Sequence, residues 1–251
     1  MRRFFQFLLV WLLAVTVACA HQVRDKERRA QLHLKMGTAH LTKGQYPQAL
    51  SELLIAEELD PDSSAIHNNL ALAYLVRDHH EKAEEHAREA VRLAQKNTEA
   101  RNNLGRILIE QGKYQKAVKE LKLAISDLTY KYPEKSHSNL GLAYFRSGQY
   151  DQAITQLRKA LSYQRKHCSS LIYYGRSLYE KNQYRVAAET LDQALRNCPL
   201  AVKQEPQFFA AMSYLKEGES SEALARLEAL VHEHPDGKYV NRAKQLMTKI
   251  E

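Results

Sequence analysis

The stretch Asn102 to Ala117, NNLGRILIEQGKYQKA, decides how this chain is read. It carries Gly105 inside an apolar run, a second glycine at Gly112, an aromatic at Tyr114 and a closing alanine at Ala117. Working outward, the closing alanine returns as Ala49, Ala83, Ala117, Ala153, Ala187 and Ala223, at intervals of 34, 34, 36, 34 and 36 residues. The small residue twelve places earlier returns as Gly37, Ala71, Gly105, Gly141, Gly175 and Ala211. The column between them reads Gly44, Asp78, Gly112, Gly148, Asn182 and Gly218. Self-similarity at such a period marks stacked supersecondary units, each too small to bury its own apolar face. With only 9 glycines and 6 prolines in 251 residues, the chain reads as nearly all helix with short turns.

These columns resemble the tetratricopeptide repeat (TPR), a helix–turn–helix unit. The resemblance implies an all-α, right-handed solenoid of six repeats over residues 30–235, starting near 30, 64, 98, 134, 168 and 204, with a capping helix over 236–251. Counted from those starts, position 8 is the small residue of the first helix and position 20 the alanine of the second. Close approach of the two helices is expected there, as between Gly105 and Ala117. Position 15 ends the first helix, where a positive φ costs glycine least. Tyr46, Tyr114, Tyr150 and Tyr184 follow at position 17 as plugs between units. Position 7 (Met36, Leu70, Leu104, Leu140, Tyr174, Ala210) and position 24 (Leu53, Ala87, Leu121, Leu157, Leu191, Leu227) form the apolar stripes of amphipathic helices. Pro61, Pro199 and Pro235 stop second helices, and Tyr239, Ala243, Leu246 and Ile250 give the last helix its apolar face. The mature chain is expected to be one solenoid.

The first residues belong to no repeat. Arg2 and Arg3 precede an apolar run from Phe4 to Ala18, too short for a span of about 20 residues but suited to a signal peptide over 1–18. The run ends Val15-Thr16-Val17-Ala18-Cys19, which resembles a bacterial lipoprotein cleavage site with Thr16 where leucine is usual. The resemblance implies a lipidated Cys19 at the head of a tether over 19–29, with Ala20 favouring the outer membrane and a periplasm-facing protein. An ordinary secreted protein and a retained apolar anchor are the alternatives. The net charge of +8 loses Arg2 and Arg3 with the signal peptide, and the remaining basic residues interleave with acids. That pattern reads as a solvated helix surface, with no nucleic-acid footprint.

No Gly-rich phosphate loop, nucleophile elbow or HExxH helix occurs, so no catalytic residue, cofactor or small-molecule substrate is assigned. The 11 histidines are scattered; His79, His80 and His86 are the densest group, His232 and His234 a second, and both read as structural or surface residues, with no metal site. Glu57 and Glu58, like Glu84 and Glu85, read as solvated neighbours. Cys168 and Cys198 fall at positions 1 and 31 of the fifth repeat, where antiparallel pairing brings helix start beside helix end. Packed helix axes lie about 8–10 Å apart, whereas bridged Cα atoms sit within about 6.8 Å. A disulfide therefore needs fraying at the helix ends, and two free thiols are the alternative.

First helices of a TPR array line its concave face, with positions 5, 9 and 12 pointing inward. Position 12 is apolar throughout: Leu41, Leu75, Ile109, Phe145, Tyr179 and Leu215. Position 9 adds Leu72, Arg106, Leu142, Arg176 and Met212, and position 5 adds Leu34, Ile172 and Phe208. Part of this stripe is expected in the core. The rest suggests an amphipathic helix or extended apolar peptide as ligand, with Arg106 and Arg176 pairing to its flanking acids. A clamp for a peptide's terminal carboxylate is disfavoured, because Leu34 and Thr38 stand where Lys and Asn would be needed.

Six TPRs behind a lipoprotein signal resemble the type IV pilus pilotins, the PilF/PilW/Tgl family. The resemblance rests on Ala30–Gly37 directly after the tether, on Asn102-Asn103-Leu104-Gly105, and on the two-residue insertion at Tyr130-Lys131-Tyr132-Pro133-Glu134 before Ser138–Tyr144. Ile107-Leu108-Ile109 departs from it, since many members carry an aromatic and a cysteine there. The resemblance implies a non-enzymatic outer-membrane lipoprotein that binds a secretin subunit and promotes its multimerisation. A general periplasmic adaptor for envelope or peptidoglycan assembly is the other expectation.

Overall fold

The computed structural model describes residues 22 and 24–250; Cys19 and the expected signal segment lie outside them. Thirteen α-helices and one 3-10 turn, with no β-strand, make up the described residues. None of these helices is long and apolar enough to cross a membrane. The chain divides into two compact units, with the boundary between Ile107 and Leu108 inside the fifth helix.

The first unit holds α1 (residues 24–42), α2 (Tyr46–Leu59), α3 (Ser64–Leu75), α4 (His80–Leu93) and most of α5 (Thr98–Glu110). The second holds the end of α5, then α6 (Tyr114–Ile125), α7 (Pro133–Arg146), α8 (Tyr150–Tyr163), α9 (Cys168–Glu180), α10 (Tyr184–Asn197), α11 (Gln204–Glu217), α12 (Ser220–Glu233) and α13 (Val240–Ile250). α1 starts ahead of residue 30, so residues 24–29 of the expected tether are helical. Asp25, Lys26, Glu27, Arg28 and Arg29 are exposed and extend the helix outward on local propensity alone.

Position 15 behaves alike in all six repeats. Gly44, Gly112, Gly148 and Gly218 have φ between 71° and 79°, and Asp78 and Asn182 both have φ 59°. Asp and Asn are the non-glycine residues that tolerate this region, through local hydrogen bonds of their short polar side chains. The two 36-residue intervals have separate causes. The junction before α7 carries the Tyr130–Pro133 segment, and the 3-10 turn Leu200–Val202 lengthens the link between α10 and α11.

The close approach inside a repeat brings the position-24 leucine, as well as the expected position-20 alanine, against position 8. A Cβ on Gly37 would lie 2.6 Å from Leu53 Cγ, on Gly141 2.5 Å from Leu157 Cγ, and on Gly175 2.6 Å from Leu191 Cγ. Position 8 is small because the position-24 leucine lies across it; the position-20 backbone follows at 3.2 Å from Gly37 and 3.4 Å from Gly175. Those leucines are fully buried, as are Leu70, Leu104 and Leu140 of the position-7 stripe. Met36 breaks the stripe at 39% exposed. Position 7 packs toward the preceding second helix, and none precedes α1 among the described residues. In the second unit, α13 closes the array as expected: Val240 and Ala243 are buried, with Tyr239, Leu246, Met247 and Ile250 packed beside them.

Candidate functional site

The first-helix face of the first unit is aliphatic. Leu34, Leu41 and Leu72 are half-buried and Arg106 is exposed, while Leu75 is 6% exposed and belongs to the core. Asn103 donates to Asn68 Oδ1 at 2.8 Å, and Asn69 donates to the Ala65 carbonyl at 2.9 Å, so these amides are spent within the scaffold. His86 meets His67 and Tyr74, its ring centroid 5.3 Å from each. Burial holds His86 below the ordinary histidine range, against the opposing pull of Glu57.

The first-helix face of the second unit is an aromatic ladder. Phe145 touches Tyr150 and Tyr173, with centroids 5.8 and 5.3 Å away. Phe209 touches Tyr179 at 5.3 Å and Tyr239 at 6.1 Å, and Tyr179 touches Tyr184 at 5.5 Å. Arg176 joins the two groups, its guanidinium carbon 5.2 Å from the Phe145 centroid and 3.5 Å from that of Phe209. Such stacking favours the cation by about 0.5–2 kcal/mol. Arg176 also bonds Glu205 and approaches Glu180 at 3.5 Å, so its charge is matched inside the chain and not left for acids of a ligand. Its Nε, by contrast, is buried without a partner. Leu142, Met212 and Leu215 flank the ladder half-buried.

Four expected groove residues are core. Leu75, Ile109, Ile172 and Phe208 are 6%, 4%, 8% and 1% exposed. Phe208 is stacked against Tyr239 at 4.8 Å, so position 5 there serves the junction with the capping segment. Conversely, the reading of positions 5, 9 and 12 missed Tyr173 and Phe209. Both stand at position 6, which switches from Asn69, Asn103 and Asn139 to aromatics in the last two repeats; that switch was the available signal.

Cys168 and Cys198 are joined, with Cα atoms 5.5 Å apart. The helix-axis distance does not apply, because Cys198 lies just beyond α10 in extended backbone, φ −100° and ψ 153°. It packs with Leu171, Ile172 and Ala194.

A polar network lies elsewhere in the second unit. Arg226 donates twice to Asp192, at 2.8 and 2.7 Å, and Tyr214 donates to Asp192 Oδ2 at 2.8 Å. Burial, then that hydrogen bond, pushes the Tyr214 phenol up to about 12. A folded-state value above the unfolded one means that the folded chain holds this proton more tightly. Its stabilisation is complete below about pH 10 and lost as pH rises toward about 12. The thermal midpoint should therefore fall over that interval, and Tyr214→Phe should flatten the fall; an unchanged slope would exclude Tyr214 as its source.

The paired helices, left-handed turns and first-helix faces define a tetratricopeptide repeat protein. The model of one tetratricopeptide repeat family matches residues 34–98 and 138–202, and two others match 75–128 and 210–237. The chain belongs to the tetratricopeptide repeat family. Among particular proteins, it is 34% identical over 113 residues to the type IV pilus assembly protein PilF of Pseudomonas aeruginosa, a match covering 45% of this chain and 43% of PilF. The matched region thus spans under half the length of that curated relative. The solved structure of Pseudomonas aeruginosa PilF superimposes with TM-score 0.77 at 22% identity, covering 88% of this chain and 99% of that one. PilW, described as a widely conserved type IV pilus biogenesis factor, superimposes with TM-score 0.78 at 17% identity, covering 86% and 98%. At these identities the two superpositions show the shared fold.

Proposed function

We propose that this protein is a non-enzymatic, lipid-anchored outer-membrane lipoprotein of the periplasm that binds a type IV pilus secretin subunit and promotes its multimerisation. The 113-residue similarity to PilF carries the reading. The half-buried aliphatic and aromatic first-helix faces support it, since such faces suit an apolar peptide segment. The Cys168–Cys198 bridge fits an oxidising compartment, and Val15–Cys19 supplies the anchoring signal.

The test is site-specific photo-crosslinking in cells from positions 72, 145 and 212, followed by identification of the captured protein. Secretin capture is expected, and Leu72→Glu or Leu142→Glu should weaken binding about thirtyfold, the equivalent of ~2 kcal/mol at an interface centre. Leu75→Glu is a poor probe, because burying a charge at that core position would unfold the first unit. In the same strain, Cys19→Ser should release the protein from the membrane fraction. Normal secretin multimers without the protein would overturn the reading, and capture of peptidoglycan enzymes would transfer it to a general envelope adaptor.

A further inference from the structure

Position 4 of the first helix and position 23 of the second face one another across the repeat. His33 Nδ1 lies 2.7 Å from Glu52 Oε2, His67 Nδ1 3.0 Å from His86 Nδ1, and His137 Nδ1 2.9 Å from Gln156 Oε1. The second repeat alone puts histidine at both positions. It also receives a carboxylate from the helix before it: Glu57 Oε1 is 3.5 Å from His67 Nδ1 and 3.6 Å from His86 Nδ1. Glu57 is position 28 of its own repeat, where the other five carry Val91, Ile125, Leu161, Leu195 and Val231. An acid at this otherwise aliphatic position therefore needs a reason beyond the repeat.

We propose that Glu57, His67 and His86 form a binding site for one divalent transition-metal ion, with Zn²⁺ as the best fit. Tetrahedral zinc with ligands about 2.0–2.2 Å away has ligand–ligand edges of about 3.3 Å, and the observed triangle of 3.0, 3.5 and 3.6 Å lies close to that. Two imidazoles and one carboxylate are borderline donors of the kind that zinc takes.

The outer groups are in place as well. His67 Nε2 is 2.8 Å from the Pro61 carbonyl, and since the oxygen only accepts, the proton sits on Nε2 and the Nδ1 lone pair faces the centre. A ring proton held by a backbone carbonyl is the usual support of a metal-ligating histidine. Tyr74 stacks on His86 with ring centroids 5.3 Å apart and an interplanar angle of 13°, which fixes the plane of the imidazole. Without metal, His86 Nδ1–H donates to His67 Nδ1. Binding moves that proton to Nε2 of His86 and frees the second lone pair. The three groups open onto a recess of about 450 Å³ rimmed by Glu85, Arg88, Glu89 and Arg92, which leaves a fourth position for water. Arg88 is paired with Glu84 and Arg92 with Glu89, so neither cation is left unmatched beside the ion. The corresponding recess in the last repeat holds Leu195, Gln207 and Arg226 at the equivalent positions, with no ligand set.

The test is Zn²⁺ binding to the purified full chain by calorimetry, with Co²⁺ absorption as a second readout. One ion per chain and a tetrahedral Co²⁺ spectrum are expected. His86→Ala and Glu57→Gln should each weaken Zn²⁺ by at least about tenfold, the loss seen when a metal's supporting groups are removed, while His79→Ala leaves it unchanged. Glu57→Gln preserves side-chain size and shape, so it removes the carboxylate ligand without altering the helix packing. Zn²⁺ should raise the melting temperature of the parent and not of Glu57→Gln. Absence of binding, equal affinity in parent and both ligand variants, or loss of binding in His79→Ala would each overturn the site.

Discussion

Truncation of Leu157 to alanine is expected to lower unfolding stability by about 3–4 kcal/mol, read as a shift of the urea midpoint at constant slope. Leu157 is fully buried, and its Cγ lies where a Cβ on Gly141 would need to be. Removing it costs the transfer of three buried carbons and opens a cavity beneath α7. Gly141→Ala alone is expected to destabilise less. Overpacking costs about 1–3 kcal/mol, offset by about 0.5–1 kcal/mol from replacing a mid-helix glycine. The double variant should then be more stable than the sum of the two losses, because the new methyl enters the space that Leu157 left. Strict additivity would mean that the two positions do not share that space. The second repeat already pairs Ala71 with Ala87, while the sixth carries Ala211 with Leu227, so the array admits more than one solution.

Loss of the Cys168–Cys198 bridge is expected to cost about 3 kcal/mol. The two residues are 30 apart, and the chain-entropy account assigns a loop of that size between about 3 and 4.7 kcal/mol. Reduction, or Cys168→Ala, should lower the urea midpoint accordingly. Cys198→Ser should cost somewhat more, because Cys198 is 7% exposed and a hydroxyl there enters an apolar cluster. Mass spectrometry of protein isolated without reductant should find the chain two hydrogens lighter than its dithiol form. Two freely alkylated thiols in that sample would refute the bridge, and a midpoint indifferent to reductant would refute its contribution to stability.

Both effects concern contacts of different legibility. The glycine and leucine columns are visible in the chain because each repeat solves the same local problem at the same offset. A left-handed turn is needed at position 15, and a small residue at position 8. Even there, the sequence pointed to the position-20 alanine as the close partner, and the structure adds the position-24 leucine, which lies nearer. Periodicity shows that residues share a face without showing how far each side chain reaches across it.

The first-helix faces were only partly legible. Positions 5, 9 and 12 each supply apolar residues, yet Leu75, Ile109, Ile172 and Phe208 are buried while Leu34, Leu41, Leu72 and Leu142 remain half-open. Burial at these positions depends on the size of side chains in the next repeat, and a single-repeat template does not contain that information. The aromatic ladder shows the same dependence. Tyr173 and Phe209 take over position 6, and Arg176 fills the gap between Phe145 and Phe209 instead of reaching outward.

The amino-acid sequence by itself determined the six helical pairs, the left-handed turn within each pair and the capping helix, because these follow from offsets of a few residues along one chain. Tertiary structure alone decided that Cys198 leaves its helix in time to meet Cys168, that Arg176 is matched by Glu205, and that Glu57, His67 and His86 share one centre. Those three ligands sit on α2, α3 and α4 at unrelated spacings in the sequence, so no linear pattern joins them. Their distances are set by how the second helix of one repeat packs against both helices of the next.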